Sequence, residues 1–257
     1  MKFADGKILL DTDSGVGLLT FNNPEKRNAM SLDMWDGLTA ALDALESDSS
    51  VHVVVLTGAG SKAFVSGADI SQFGATRSDA EAQREYARRT GAGRARLAAF
   101  PRPLIARIRG FCLGGGLAIA LQADLRIAGV DSEFGVPAAR LGLAYGAEMV
   151  KQLVDVVGPA HARMLLYTGQ RISAREAERI GLVNQVVEDG DLSEMVLDLA
   201  RTIADNAPLS VRAAKLAVAG DDADAIAAAI DACFDSADYR EGRVAFAEKR
   251  PPRFAGA

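Results

Sequence analysis

Apolar and polar positions change their period several times along this 257-residue chain. Two short apolar runs, Ile8 to Leu10 and Gly17 to Phe21, flank a polar Asp-Ser-Gly turn and read as paired extended segments. Ser31 then stands where an N-cap belongs, and Leu32, Leu38, Leu42 and Leu45 recur on one face of a helix, completing a ββα unit. The β-branched run Val51 to Thr57 predicts the next strand, and a polar helix from Asp79 to Ala99 stops ahead of Pro101 and Pro103. Leu104 to Arg109 reads as extended, with an apolar helix opening directly after it at the glycines 114–116. Asp124 to Ala128 reads as a further strand, and Gly135 and Pro137 end another extended piece. Strands alternating with helices predict an α/β core. From about Gly146 the pattern turns helical, with segments led by Pro159, Ser173, Asp191, Pro208 and Asp222, and only Asn184 to Val187 strand-like between them.

With 49% apolar and 25% charged residues, the chain can bury one large core, or one core plus a small accessory domain. A net charge of −5 argues against a nucleic-acid surface. Arg88, Arg89, Arg94 and Arg96 form a local basic cluster that fits either an anionic ligand or a solvated helix face. Cys112 and Cys233 make neither a metal spacing nor a disulfide framework, and Cys112 sits in an apolar run as a small hydrophobe. His52 heads a strand and His161 opens a helix, so both read as structural and no metal site is expected. Residues Met1 to Lys7 hold no apolar core of the secretory kind, and no stretch of about eighteen apolar residues occurs. The expected location is cytoplasmic, with no membrane partner.

The candidate chemistry lies in two loops. Gly114, Gly115 and Gly116 open an apolar helix, and a helix start without side chains presents unpaired amides to a partly negative oxygen. An oxyanion hole is built in this way. The same glycines would also serve a buried helix that packs tightly under a strand. The second loop, Ser61 to Ile70, again follows a strand and ends in exposed amides. Its approach, Gly58-Ala-Gly60-Ser-Lys-Ala63, imitates a dinucleotide-binding turn, yet Phe64 to Gly67 make a poor helix start and no Tyr-x-x-x-Lys pair is present.

Taken together, Ala63-Phe64-x-x-Gly67-Ala68-Asp69 and Gly110-x-x-x-Gly114-Gly115-Gly116-x-x-x-Ala120 resemble the two-part signature of the enoyl-CoA hydratase/isomerase (crotonase) family. The similarity runs from the Pro24 to Ala29 turn to Phe246-Ala-Glu-Lys249 near the end. It implies a crotonase-like spiral of ββα units, with residues 1–190 as an acyl-CoA-binding core and 191–257 as a helical region that joins subunits into a homotrimer or a dimer of trimers. It also implies that the Ala68 and Gly115 N–H groups bind the thioester oxygen. Lys26, Asn28 and Ala29 of the turn and Ser66, Asp69 and Ile70 of the loop would hold the adenine and phosphates, with Phe246 and Lys249 reaching CoA from the last helix. Coenzyme A enters as part of the substrate, and no separate cofactor is implied.

Two positions depart from the family pattern. Hydratases of this family carry glutamates where this chain has Ala118 and Ala138. Each positioned proton-transfer group is worth ~10² to 10⁴ in rate, so ordinary hydration should be weak here. Tyr145 and Glu148 are the candidates to replace them, and each has a structural alternative. Tyr145 would wall the acyl pocket, and Glu148 would complement a helix dipole. Arg140 lies in the same loop and is expected to pair with a surface or loop carboxylate, with a substrate contact as the alternative, while Asp69 is expected to orient the Ala68 loop. The Leu141-Gly-x-x-Tyr145 context is similar to that of decarboxylating members such as methylmalonyl-CoA decarboxylase, which carry a histidine where Ala68 stands. The resemblance therefore implies an acyl-CoA-transforming enzyme that stabilises an enolate, with decarboxylation or silent acyl-CoA binding as the alternatives.

Overall fold

The computed structural model describes residues 1–69, 71, 79–220 and 222–257. Strands β1 (Lys2–Phe3), β2 (Ile8–Asp13) and β3 (Val16–Phe21) are antiparallel neighbours. The two-residue turn between β2 and β3 has positive φ at both Ser14 and Gly15, the geometry whose twist matches a hairpin. Helix α1 (Leu32–Ser47) follows and buries Met34, Leu38, Ala41, Leu42 and Leu45 along one face. Ser31 holds the N-cap position with extended backbone, but its side chain makes no capping bond.

A strand–strand–helix unit then occurs three times. The first is β4 (Val53–Gly58), β5 (Ala63–Val65) and α2 (Ala80–Ala98). The second is β6 (Leu104–Ile108), β7 (Phe111–Leu113) and α3 (Gly115–Ala120). The third is β8 (Leu125–Gly129), β9 (Glu133–Gly135) and α4 (Ala147–Thr168). The chain continues through β10 (Arg171–Ser173), α5 (Ala174–Arg179) and β11 (Gln185–Val187).

The first strand of each unit joins a seven-stranded sheet of order β1-β2-β3-β4-β6-β8-β11, and the second joins a four-stranded sheet of order β10-β9-β7-β5. Successive units stack as parallel neighbours in both sheets, which generates the expected ββα spiral. Strands β4 and β6 are buried on both faces, so they read as near-continuous apolar runs rather than alternations.

The sequence pattern departs from the structure at two kinds of position. Strands β5, β7 and β10 have three residues each, too short for alternation to register. One consequence is that β7 stands between the Leu104 strand and the glycine helix, where the pattern suggested direct succession. The helix read from Pro159 follows directly on the one in whose first turn Glu148 stands: α4 runs from Ala147 as two helical segments that meet at a kink at Gly158, whose φ of 74° precedes the proline.

Between the two sheets lies the main core, in which Leu19, Phe21, Leu56, Phe64 and Phe134 are buried and Phe21 meets Phe64 edge to face at 5.6 Å. On the other face of the large sheet, Val53, Val55, Ile105 and Ile127 are covered by Leu192, Val196 and Ala200 of α6 (Leu192–Ala204), so core packing continues across residue 190. Three further helices follow, α7 (Pro208–Ala219), α8 (Ala223–Asp235) and α9 (Ala237–Glu248). They leave Val218, Phe234 and Phe246 exposed. Among the described residues no helix is long and apolar enough to cross a membrane, and no group of three or more His, Cys, Asp or Glu could hold a metal ion.

Candidate active site

The site begins at the turn after β3. Arg27 and Asn28 adopt left-handed backbone there, which asparagine tolerates better than most residues. Asn28 is fully buried. Its side-chain amide donates to the carbonyls of Ala59 (3.0 Å) and Ala63 (2.8 Å), and its oxygen accepts from the Asn23 N–H (2.9 Å). The Asn28 side chain thus fastens the turn to the start of β5 and has no free polar atom to offer a ligand.

The turn is laced to the loop after β5. Ser66 N–H donates to the Arg27 carbonyl, Met30 N–H to the Gly67 carbonyl (2.8 Å) and Asp69 N–H to the Met30 carbonyl (2.9 Å). Lys26 Nζ donates to Asp69 Oδ2 (2.8 Å) and to Ser71 Oγ (2.8 Å), while Ser71 N–H and Oγ donate to Asp69 Oδ1. Burial alone would raise the Asp69 pKa, but the bonds from Lys26 and Ser71 outweigh it and hold the carboxyl below the usual range. Asp69 therefore orients the loop with help from Lys26, beyond the local backbone amides expected from sequence. Lys26, Asn28, Ala29, Ser66, Ala68 and Asp69 are all brought together, and Ile70 lies outside the described residues.

Ala68 sits between the lacing bonds, and its own N–H has no acceptor among the described residues. The glycine run comes up beside it. Gly114 has φ +50° and ψ −113°, a backbone that only glycine holds without strain. A Cβ on Gly116 would lie 1.9 Å from the Val65 carbonyl oxygen, so that glycine is there for close packing on β5. Gly115 differs from both. Its Cβ would meet only ordinary contacts, with the Ala68 amide nitrogen nearest at 3.7 Å, and its N–H, at the first position of α3, has no acceptor among the described residues. Close packing under the strand thus accounts for Gly116, while Gly115 presents an unpaired helix-start amide.

Tyr145 closes this end. Its hydroxyl donates to the Gly114 carbonyl at 3.0 Å, and burial pushes the phenol pKa far up, so the group is a neutral donor committed to the backbone beside Gly115. Pro137 flanks Gly114, and the two alanines at the departing positions contribute methyl groups only: Ala118 is fully buried in α3 and Ala138 packs against the core. Cys112 is buried beneath, its thiol pKa raised by desolvation. Glu148 is exposed in the first turn of α4. Four residues on, Gln152 exchanges amide bonds with Gln122, which also donates to the Ala118 carbonyl. Arg140 lays its stem along Gly169, with no ion pair among the described residues.

Phe246 and Lys249 stand elsewhere. Phe246 is 87% exposed and lines a groove among the C-terminal helices with Phe234, Tyr239 and Phe254, and Lys249 caps α9 with left-handed backbone. Within one chain no hydrogen bond links either to the turn or the loop among the described residues. His52 Nδ1 lies 2.9 Å from the Ala204 carbonyl oxygen, a structural tie between β4 and α6.

Arg94 belongs to the basic cluster that the sequence left open between an anionic ligand and a solvated helix face. Thr90, Arg94 and Leu97 fall at i, i+4 and i+7, and both Thr90 and Leu97 are buried. That spacing places Arg94 on the inner face of α2, and it was readable in the sequence.

Two unpaired amides from adjacent segments, braced by Asp69 and Tyr145, can donate together to a single oxygen and stabilise charge that develops on it. The sequence profile of the enoyl-CoA hydratase/isomerase family matches residues 11–257. Over 250 residues the chain is 36% identical to the short-chain-enoyl-CoA hydratase of Clostridium acetobutylicum, covering 95% of each. It is 37% identical over 254 residues to the crotonyl-CoA hydratase of Syntrophomonas wolfei, covering 96% of this chain and 97% of the other. The crystal structure of an enoyl-CoA hydratase/carnithine racemase from Magnetospirillum magneticum superposes with a TM-score of 0.94 at 37% identity, covering 98% of this chain and 96% of that one.

Proposed function

Because the chain belongs to the enoyl-CoA hydratase/isomerase family, we propose that it transforms an acyl-CoA thioester whose carbonyl oxygen accepts hydrogen bonds from the Ala68 and Gly115 N–H groups. The observation that carries this is the pair of unpartnered amides on abutting segments. As an electron pair moves onto the thioester carbonyl, the oxygen gains charge and both bonds strengthen. Removing one such donor typically costs ~10² to 10³ in rate. Lys26 and Asp69 keep the Ala68 loop in place, and Tyr145 acts through the Gly114 carbonyl that it holds. Proton transfer falls to Glu148, the carboxylate in the first turn of α4. The turn at Lys26 to Ala29 and the loop at Ser66 to Asp69 receive the CoA nucleotide. A neighbouring copy, docked on the exposed apolar face of the C-terminal helices, supplies Phe246 and Lys249.

Relatives named hydratases set the expected reaction, and Ala118 and Ala138 set its rate. Without carboxylates at those positions, hydration of crotonyl-CoA should run at least ~10³-fold slower than in a relative carrying both. Measured hydration at a rate equal to such a relative would overturn this reading. Glu148→Gln should lower whatever turnover exists.

The same two alanines favour decarboxylation as a second reading. When the bond between Cα and a carboxylate breaks, its electron pair passes into the thioester enolate and CO₂ departs, so no base is needed at residue 118 or 138; solvent later returns a proton to Cα. Release of CO₂ from methylmalonyl-CoA or malonyl-CoA tests it. A protein that binds these thioesters and turns over none of them is a silent binder.

A further inference from the structure

The arginines of α2 are not equivalent. Arg88 pairs with Glu85 on its own helix, Arg89 pairs with Asp36, and Arg96 pairs with both Asp43 and Glu46 of α1. Arg94 has no carboxylate within ion-pairing distance among the described residues, and the sequence of segment 70–78 contains no acidic residue to supply one. Its guanidinium lies over the Trp35 ring, 5.8 Å from the centroid. The preceding residue, Gly93, packs on the same ring so closely that a Cβ there would come within 2.6 Å of it. A half-buried cation is thus held at a defined place on the inner face of its helix. Helix α2 packs against α3, whose first residue is Gly115, and the Tyr145 hydroxyl is bonded to the carbonyl immediately before Gly115.

A partly desolvated guanidinium with no ion-paired carboxylate among the described residues is costly, and a neutral acyl chain seated nearby would desolvate it further. A carboxylate would instead receive its paired N–H donors in the planar geometry that arginine offers and lysine lacks. We infer that Arg94 binds a second carboxylate carried by the acyl chain, so that the preferred substrates are monothioesters of dicarboxylic acids. The inference rests on the acyl-CoA reading of the site.

Calorimetric titration of the full-length protein tests it with CoA monothioesters of malonic through adipic acid, each against the neutral acyl-CoA of equal chain length. For the best-fitting length, the carboxylated thioester should bind about tenfold to a hundredfold more tightly than its neutral counterpart, the usual range for a charge-assisted bond. That ratio should fall to about one in Arg94→Met and lie between in Arg94→Lys. Equal affinity at every length in the wild type, or an undiminished ratio in a folded Arg94→Met, would overturn the inference and leave the acyl-CoA reading standing. If Arg94→Met does not fold, the wild-type ratio and Arg94→Lys decide the matter. Failure of both thioester classes to bind would sink the acyl-CoA reading and this inference with it.

Discussion

Gly115 and Gly116 are adjacent and chemically identical, yet the structure assigns them opposite sensitivities to a single methyl group. In Gly116→Ala the new Cβ would sit 1.9 Å from the Val65 carbonyl oxygen, far inside the 3.4 Å at which ordinary contact begins. That oxygen belongs to β5, a strand of the small sheet that pairs with β7 and packs against α3, so no flexible side chain can yield. Overpacking of this kind costs about 3 kcal/mol or more. For a chain of this size each kcal/mol lowers Tm by roughly 2 to 4 °C, which puts the expected loss at about 6 to 12 °C. In Gly115→Ala the nearest atom is 3.7 Å away, and replacing glycine in a helix gains up to ~1 kcal/mol, so Tm should stay level or rise. Differential scanning calorimetry of the two variants against wild type reads the contrast directly. Equal destabilisation by both substitutions would show that the glycine run serves packing throughout, and would remove the reason for treating Gly115 as functional.

Other consequences follow from the same geometry. Gly115→Pro should fold, because proline suits the first position of a helix, and should lose ~10² to 10³ in turnover because the N–H is gone; wild-type turnover in the folded variant would displace the proposed oxyanion site. The folded Asp69 pKa lies below its ordinary value, so its contribution to stability is present above about pH 4 and is lost as pH falls through the folded pKa. Asp69→Asn should therefore be less stable than wild type at neutral pH, with the gap closing in acid; a gap independent of pH would contradict the Lys26 pairing. The exposed Val218, Phe234, Val244 and Phe246 should be covered by further copies of the chain, so light scattering at micromolar concentration should report a trimer or a dimer of trimers, and a monomer would refute that.

Sequence exposed the spiral more readily than the site. Val53 to Leu56 and Leu104 to Ala106 are buried on both faces of the sheet, and their continuous apolar character is visible in one dimension. The small sheet was hidden because β5, β7 and β10 hold three residues each and owe their pairing to strands in other turns of the spiral. At the site, glycine spacing marked two segments that the structure brings side by side but could not separate Gly115 from Gly116, since that difference depends on where the Val65 carbonyl lies. Nor could it show that the Asn28 side chain is consumed within the turn, or that Lys26 reaches Asp69 and Ser71. Phe246 and Lys249 were assigned to CoA by position alone, and within one chain they sit among the C-terminal helices. Arg94 was legible through its spacing with Thr90 and Leu97; its lack of an ion-pair partner among the described residues was not, because the carboxylates that satisfy its neighbours come largely from α1.

Isotope-edited infrared spectroscopy of a bound acyl-CoA labelled with ¹³C at the thioester carbonyl tests the central claim without knowledge of the reaction. Two amide donors from Ala68 and Gly115 should polarise the carbonyl and move its stretch to lower frequency on binding, by more than in water, and Gly115→Pro should forfeit much of that displacement while still binding the thioester. A carbonyl frequency in the bound wild type no lower than that of the free thioester in water, or a displacement undiminished in Gly115→Pro, would contradict the account.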